Sequence, residues 1–151
     1  MNNYKTLEST KKEIDFVDDK ICEYNESKVP FELSIPPSKI NRHIQDDIGN
    51  IIAGINCIYY AWKCIYIDVL WVKEEYRNAG IGSQLLSEIE KTAKEYGCHL
   101  IHLDTFDFQA KDFYIKQGFE IHFTQSSMGV TTPPHRLFKF LSLEKISRYL
   151  P

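Results

Sequence analysis

Tyr66-Ile-Asp-Val-Leu-Trp-Val-Lys-Glu-Glu-Tyr-Arg-Asn-Ala-Gly-Ile-Gly-Ser83 is the stretch of this 151-residue chain on which the fold turns. Its first seven residues, Tyr66–Val72, are β-branched and aromatic, which predicts a largely buried strand. A charged connection, Lys73–Tyr76, follows. Ile81, Leu85, Leu86, Ile89 and Ala93 then recur at helical spacing. Gly97 stands where a helix end takes a left-handed residue. The first turn of a helix leaves N–H groups without partners at the positive end of its dipole. Glycines at 80 and 82 let an anion approach the main chain with no Cβ in the way, and Arg77 adds a fixed positive charge. By themselves these residues fit either an ordinary tight turn or an anion seat on the backbone of Asn78, Ala79, Gly80, Ile81, Gly82 and Ser83. No third glycine completes a dinucleotide fingerprint, and the Gly-Lys-Ser/Thr of a phosphate loop is missing.

Composition narrows the class. With 43% hydrophobic and 13% aromatic residues the chain can bury one sizeable core, so a single domain over residues 1–151 is expected. A formal net charge of −3 with no basic block argues against a nucleic-acid partner. No apolar run reaches the ~18 residues of a membrane span, and no signal region opens the chain. No membrane partner and a cytoplasmic location are expected. Cys22, Cys57, Cys64 and Cys98 show no C-x-x-C spacing and three sit in apolar runs, which reads as reduced, buried thiols. The histidines have no ligand spacing, so no metal is expected.

Residues 1–8 read as a short edge strand. Thr10-Lys-Lys-Glu13 fits a capping box, and Ile14, Val17, Ile21 and Tyr24 continue a helix to Asn25. Prolines at 30, 36 and 37 make residues 26–38 irregular. Lys39–Gln45 is weakly strand-like, Asp46–Asn50 is a turn, and Ile51–Tyr60 is an apolar strand that returns through Ala61-Trp62-Lys63. After the central helix, Cys98–Thr105 reads as a strand buried on both faces. Asp107 is placed to cap a helix from Phe108 to Gln117, which Gly118 stops. Phe119–Thr124 and Leu137–Leu143 are the last strands, separated by a loop at Gln125–His135 that holds Pro133 and Pro134. The sum is an α+β fold: a mixed, mainly antiparallel sheet with a central β-α-β unit and helices on both faces.

Two blocks carry a family resemblance. Arg77-Asn-Ala-Gly80-Ile-Gly82 resembles the Q/R-x-x-G-x-G/A signature of the GNAT superfamily of N-acetyltransferases. Ala110-Lys-Asp-Phe113-Tyr114-Ile-Lys-Gln-Gly118-Phe119 is similar to that family's A-x-x-F-Y-x-x-x-G-F segment. Together they cover about residues 55–123. The resemblance implies a sheet whose Tyr66–Val72 and Cys98–Thr105 strands splay apart to admit acyl-CoA. It further implies an acyl-CoA-dependent N-acyltransferase that moves acetyl from acetyl-CoA directly to a primary amine of a small molecule, peptide or protein, through a ternary complex. The alternative is a non-catalytic acyl-CoA-binding or regulatory module on the same scaffold. A homodimer is common among such proteins, though no residue pattern here demonstrates one.

On that resemblance, the anion seat with Arg77 would hold the pyrophosphate, and main-chain groups at Leu70, Trp71 and Val72 would pair with the pantetheine arm. Tyr114 occupies the position where the family places its general acid; its plain reading is a helix-face ring packing on Phe113 and Phe119. Asp68 is informative in itself, because an unpaired carboxylate inside an apolar strand is costly. Strand alternation would put it with Tyr66 on one face and Ile67 with Val69 on the other. The resemblance makes Asp68 a base or water-orienting residue; the plain reading bonds it to a neighbouring loop. Many members carry Asn where this chain has Asp107, and a carboxylate there would repel the cofactor. Gln109 is then the candidate for the polar contact. Tyr66 and His135 are the candidates for facing the acceptor.

Overall fold

The computed structural model describes residues 4–28, 37–60, 63–125 and 133–141. Two compact units make up the chain, Met1–Glu32 and Leu33–Pro151. In the first, residues 4–10 are irregular where an edge strand was expected, and helix α1 runs Lys11–Lys28. One arm of the predicted capping box forms, and the Thr10 hydroxyl bonds the Glu13 carboxylate instead of the Glu13 N–H. Glu13 accepts the Thr10 backbone N–H at 2.9 Å, and Ile14 N–H reaches Thr10 O at 3.1 Å.

The second unit is a six-stranded sheet in the order β1-β2-β3-β4-β6-β5. Its strands are β1 Ser38–Gln45, β2 Ile51–Tyr60, β3 Cys64–Val72, β4 Leu100–Phe106, β5 Glu120–Thr124 and β6 Pro134–Phe140. All neighbours are antiparallel except β3 and β4, which are parallel and joined by helix α2, Ile81–Glu95. The β1–β2 turn is set by Asp46, whose Oδ1 accepts the N–H groups of Ile48 and Asn50 at 3.1 and 2.8 Å.

One face of the sheet carries the core. Ala53, Ile55, Cys57 and Tyr59 of β2, Ile65 and Ile67 of β3, and Ile101 and Leu103 of β4 meet Leu85, Leu86, Ile89 and Ala93 of α2. At roughly 25 cal/mol per Å² of apolar surface, this cluster is the main favourable term for the unit. Cys57, Cys64 and Cys98 lie buried in or beside it as thiols outside any disulfide, as expected, while Cys22 is exposed. Gly97 ends α2 with a positive φ, passing its N–H to Lys94 O at 3.0 Å.

Three sequence expectations are corrected. Strand β4 is not buried on both faces: Ile101, Leu103 and Thr105 are buried, but Asp104 and Phe106 are exposed. Helix α3 is shorter than Phe108–Gln117, spanning Lys111–Lys116 from an Ala110 N-cap with no side-chain capping bond. Asp107 therefore does not cap it. Strand β6 opens at Pro134, so Pro134 and His135 belong to the sheet and not to a loop. A proline fits there because the first residue of a strand can do without a ladder N–H. The Ala61-Trp62 part of the β2–β3 turn and most of the expected 125–135 loop fall outside the described residues.

Candidate active site

Parallel pairing between β3 and β4 ends at Ile67 and Leu103, yet β3 continues to Val72 and β4 to Phe106. Two arms result, Asp68–Val72 and Asp104–Phe106, no longer bonded to each other. Backbone groups on their facing edges are thus available to an extended guest. This is the splay that the sequence resemblance implies.

A β-bulge shapes the β3 arm. Asn56 pairs with Val69 and Cys57 with Ile67, so Asp68 is the extra residue. The bulge resets the alternation of side chains. Ile65 and Ile67 before it, and Leu70 and Val72 after it, all pack toward the core. Simple alternation thus fails here, and Val69 does not share the face of Ile67. Asp68 is exposed and not enclosed by apolar neighbours, which removes the desolvation argument from its sequence reading. Trp71 is 45% exposed and borders a cavity of about 310 Å³ with Asn41, Arg42, His43 and Val69.

At the end of the β3 arm the chain turns back through a 3₁₀ turn, Glu74–Tyr76, and Arg77 Nε donates to Val72 O at 3.1 Å. That bond pins the start of α2 to the end of the arm. Asn78 and Gly80 both have positive φ, 62° and 82°. Helix α2 begins at a Gly80 N-cap with no side-chain cap and no acidic residue in its first turn. Its N-terminal N–H groups therefore have no capping side chain and no carboxylate of their own first turn to neutralise them. The two glycines have separate reasons. A Cβ on Gly80 would meet nothing within 4 Å, so its surroundings are open; one on Gly82 would meet the Phe113 ring at 3.2 Å. Gly82 is small because α3 packs against it.

Tyr114 is presented from α3 into the core at 6% exposure, with ring contacts to Phe113 and Phe119 at 5.2 and 5.6 Å between centroids. Burial, with a smaller contribution from the Cys57 thiol, pushes its pKa up to about 12. The contacts of its plain reading are present, and they leave its hydroxyl protonated across the neutral range.

His135 is buried beneath the turn that leads into α3. Its Nε2 lies 2.9 Å from Asp107 Oδ1 and its Nδ1 2.9 Å from Thr124 Oγ1. Asp107 also accepts from Lys111, and these two bonds, Lys111 first, hold its carboxyl below the usual range. Asp107 thus ties the turn to β6. Gln109 Oε1 accepts from Phe106 N–H at 3.1 Å and Thr105 Oγ1 at 3.3 Å, so its side chain folds back on the end of β4.

Sequence reasoning named Tyr66 but overlooked the ion pair beside it, on the opposite face of the sheet from α2. Arg136 donates to Asp104 through Nε and an Nη, at 2.8 and 3.1 Å. Burial, followed by the carboxylates of Asp104 and Asp68, raises the Tyr66 phenol above its ordinary pKa. Beside Tyr66, the His102 ring lies 5.1 Å away and hydrogen-bonds Tyr60. The signal for Asp104 was present: an acidic residue inside an apolar strand, the same signal that drew attention to Asp68.

Residues 9–119 match the acetyltransferase (GNAT) family. The chain is 39% identical over 71 residues to blasticidin-S acetyltransferase of Streptomyces morookaense, covering 46% of this chain and 52% of that one. It is 33% identical over 77 residues to thialysine N-epsilon-acetyltransferase of Bos taurus, covering 46% and 45%. It thus spans about half the length of these curated relatives. A crystal structure of an acetyltransferase from Bacillus cereus superposes with a TM-score of 0.79 at 34% identity, covering 91% of this chain and 97% of the other.

Proposed function

Because the chain belongs to the acetyltransferase (GNAT) family, we propose that it is an acyl-CoA-dependent N-acyltransferase, transferring acetyl from acetyl-CoA to a primary amine of a small molecule in a ternary complex. One observation carries this reading: the β3–β4 splay ends, through the Arg77–Val72 bond, at an uncapped helix N-terminus beside an open glycine. That is a slot for an extended arm with an anion seat at its end, and it fits a pantetheine chain and its pyrophosphate.

Acetyl-CoA, when bound, supplies the acyl group as a thioester. The backbone N–H groups of Gly80–Ser83 hold the pyrophosphate, and the edge of Leu70–Val72 aligns the arm. Tyr114 gives its hydroxyl proton to the leaving sulfur as the C–S bond yields to the new C–N bond. Asp68, being exposed, serves by ordering a water that takes the ammonium proton before attack. The relatives named for blasticidin-S and for the ε-nitrogen of thialysine support a small-molecule acceptor.

Gly80→Asp tests the donor site. Aspartate tolerates a positive φ better than most residues and brings a carboxylate to the helix start without meeting a neighbour. The fold should hold while calorimetric affinity for acetyl-CoA falls at least about 100-fold, from the charge placed in the seat. Unchanged affinity in the folded variant would refute the proposed pyrophosphate site. Acetyl-CoA binding with no thiol release across a broad amine panel would favour the non-catalytic module.

A further inference from the structure

We propose that Asp104, held by Arg136, is the specificity-determining residue for the acceptor, and that it selects a compact primary amine arriving as an ammonium ion with an apolar body. The inference rests on the acyltransfer reading above and adds to it the acceptor's seat and chemical class.

Position comes first. Ile67 and Leu103 are the last paired residues of β3 and β4, so Asp68 and Asp104 are the first residue of each arm. A carboxylate therefore stands on either side of the root of the splay, where an acceptor must meet the acyl group. The Arg136 fork to Asp104, at 2.8 and 3.1 Å, fixes that carboxylate's plane. It uses two of roughly four lone-pair sites and the Tyr66 side chain bonds a third, so one remains to accept from an ammonium. Two carboxylates against one guanidinium leave a local charge of one negative unit. A cation is drawn there and a phosphorylated or carboxylated acceptor is opposed.

A cavity lies beside the β4 arm. It measures about 290 Å³ and is bordered by Asp104, Arg136 and His135 together with Phe106, Phe123, Gln125 and Pro134. Its volume is at the small end for ligand pockets, and its walls are largely aromatic and aliphatic. Such a space takes the body of a compact amine while Asp104 holds its nitrogen toward the gap. The second cavity, beside Trp71, has comparable volume but is bordered by Arg42 and His43. No carboxylate among its lining residues offsets that guanidinium, whereas Arg136 is paired with Asp104, so charge separates the two candidates.

The test uses the full chain with phenethylamine as the compact amine and glucosamine 6-phosphate as the anionic comparison. Wild-type protein should favour phenethylamine in kcat/KM. Asp104→Asn keeps the shape but loses a charge-assisted bond, so the KM for phenethylamine should rise about 10- to 100-fold, with calorimetric acetyl-CoA affinity unchanged. Phe123→Ala removes an exposed wall residue and cannot threaten the core; it should raise the same KM several-fold. Arg42→Gln, at the other cavity, should change neither. The inference is overturned if Asp104→Asn and Phe123→Ala leave that KM as it is, if the phosphorylated amine is preferred, or if the protein binds acetyl-CoA yet acetylates no compact primary amine. Each of those leaves the donor site standing. Absence of acetyl-CoA binding in the wild type overturns the reading beneath it as well.

Discussion

Tyr114→Phe is the sharpest test of the proposed chemistry, because the structure separates the hydroxyl's role from the ring's. The ring makes edge contacts with Phe113 and Phe119 at 5.2 and 5.6 Å, and phenylalanine retains both. Folding stability should therefore change by less than about 1 kcal/mol. The chemical cost follows from the raised pKa. A phenol near 12 facing a thiolate whose conjugate acid is near 8.5 must give up its proton against a difference of about 3.5 pH units, or roughly 5 kcal/mol at 1.36 kcal/mol per unit. Full transfer to the free thiolate is uphill by that amount, so the hydroxyl helps chiefly by sharing its proton with the sulfur as the C–S bond breaks. That places the loss on removing the hydroxyl at the lower end of general-acid effects, about 100-fold in kcat. Since a group at about 12 stays protonated throughout an assay from pH 6 to 10, the loss should be equal across that range. Steady-state kcat for wild type and variant over that range, with KM for acetyl-CoA as the control, makes the measurement. A kcat within about threefold of wild type would reassign Tyr114 to packing. A loss confined to the alkaline side would refute the pKa argument.

Two further outcomes follow from buried groups. Burial raises Cys57 and Cys98 to about 12 and Cys64 to about 11, against about 8.5 for an exposed thiol. Between those values the unfolded chain has lost protons that the folded chain keeps. Stability is thus full below about pH 8.5 and falls as pH rises toward 12; a urea midpoint constant from pH 8 to 10.5 would contradict this. Asp107→Ala leaves the buried His135 Nε2 without its acceptor and should cost about 1–3 kcal/mol by urea denaturation. An unchanged midpoint would make that contact incidental.

The parts of this protein that were legible in its sequence are those where period and composition agree. The five apolar residues of α2 fall at helical spacing and all meet the sheet, Ile81 at its margin. The β3–α2 turn was marked by its glycines. The bulge was not legible, since one extra residue changes no composition and an apolar strand reads the same with it or without it. Asp68 consequently carried a burial argument that the bulge dissolves. Helix α3 was read too long because Phe108 and Ala110 suit a helix, whereas Gln109 folds back to accept the Phe106 N–H and holds residues 107–110 as a turn. His135 was read into a loop because two prolines precede it. Its register opposite Thr105 and Thr124 decides otherwise, and register depends on partners distant in sequence.

The separate reasons for Gly80 and Gly82 bear on how donor anchoring and proton donation are related. Gly80 faces open space at the helix start, where an anion can approach. Two residues on, Gly82 receives the Phe113 ring, and Phe113 is the immediate neighbour of Tyr114. The first turn of α2 therefore offers N–H groups outward and positions α3 inward. Lys139 supports the same arrangement, donating to Glu90 in the second half of α2 and to Gln117 O just past α3, each at 2.6 Å. Helix α3 has only six residues and no side-chain cap, so it has little stability of its own. Its orientation, and with it the direction of the Tyr114 hydroxyl, is fixed by these contacts with α2 and β6. The geometry of proton donation is in this sense a property of α2, the helix that seats the donor's phosphates in the proposed reaction.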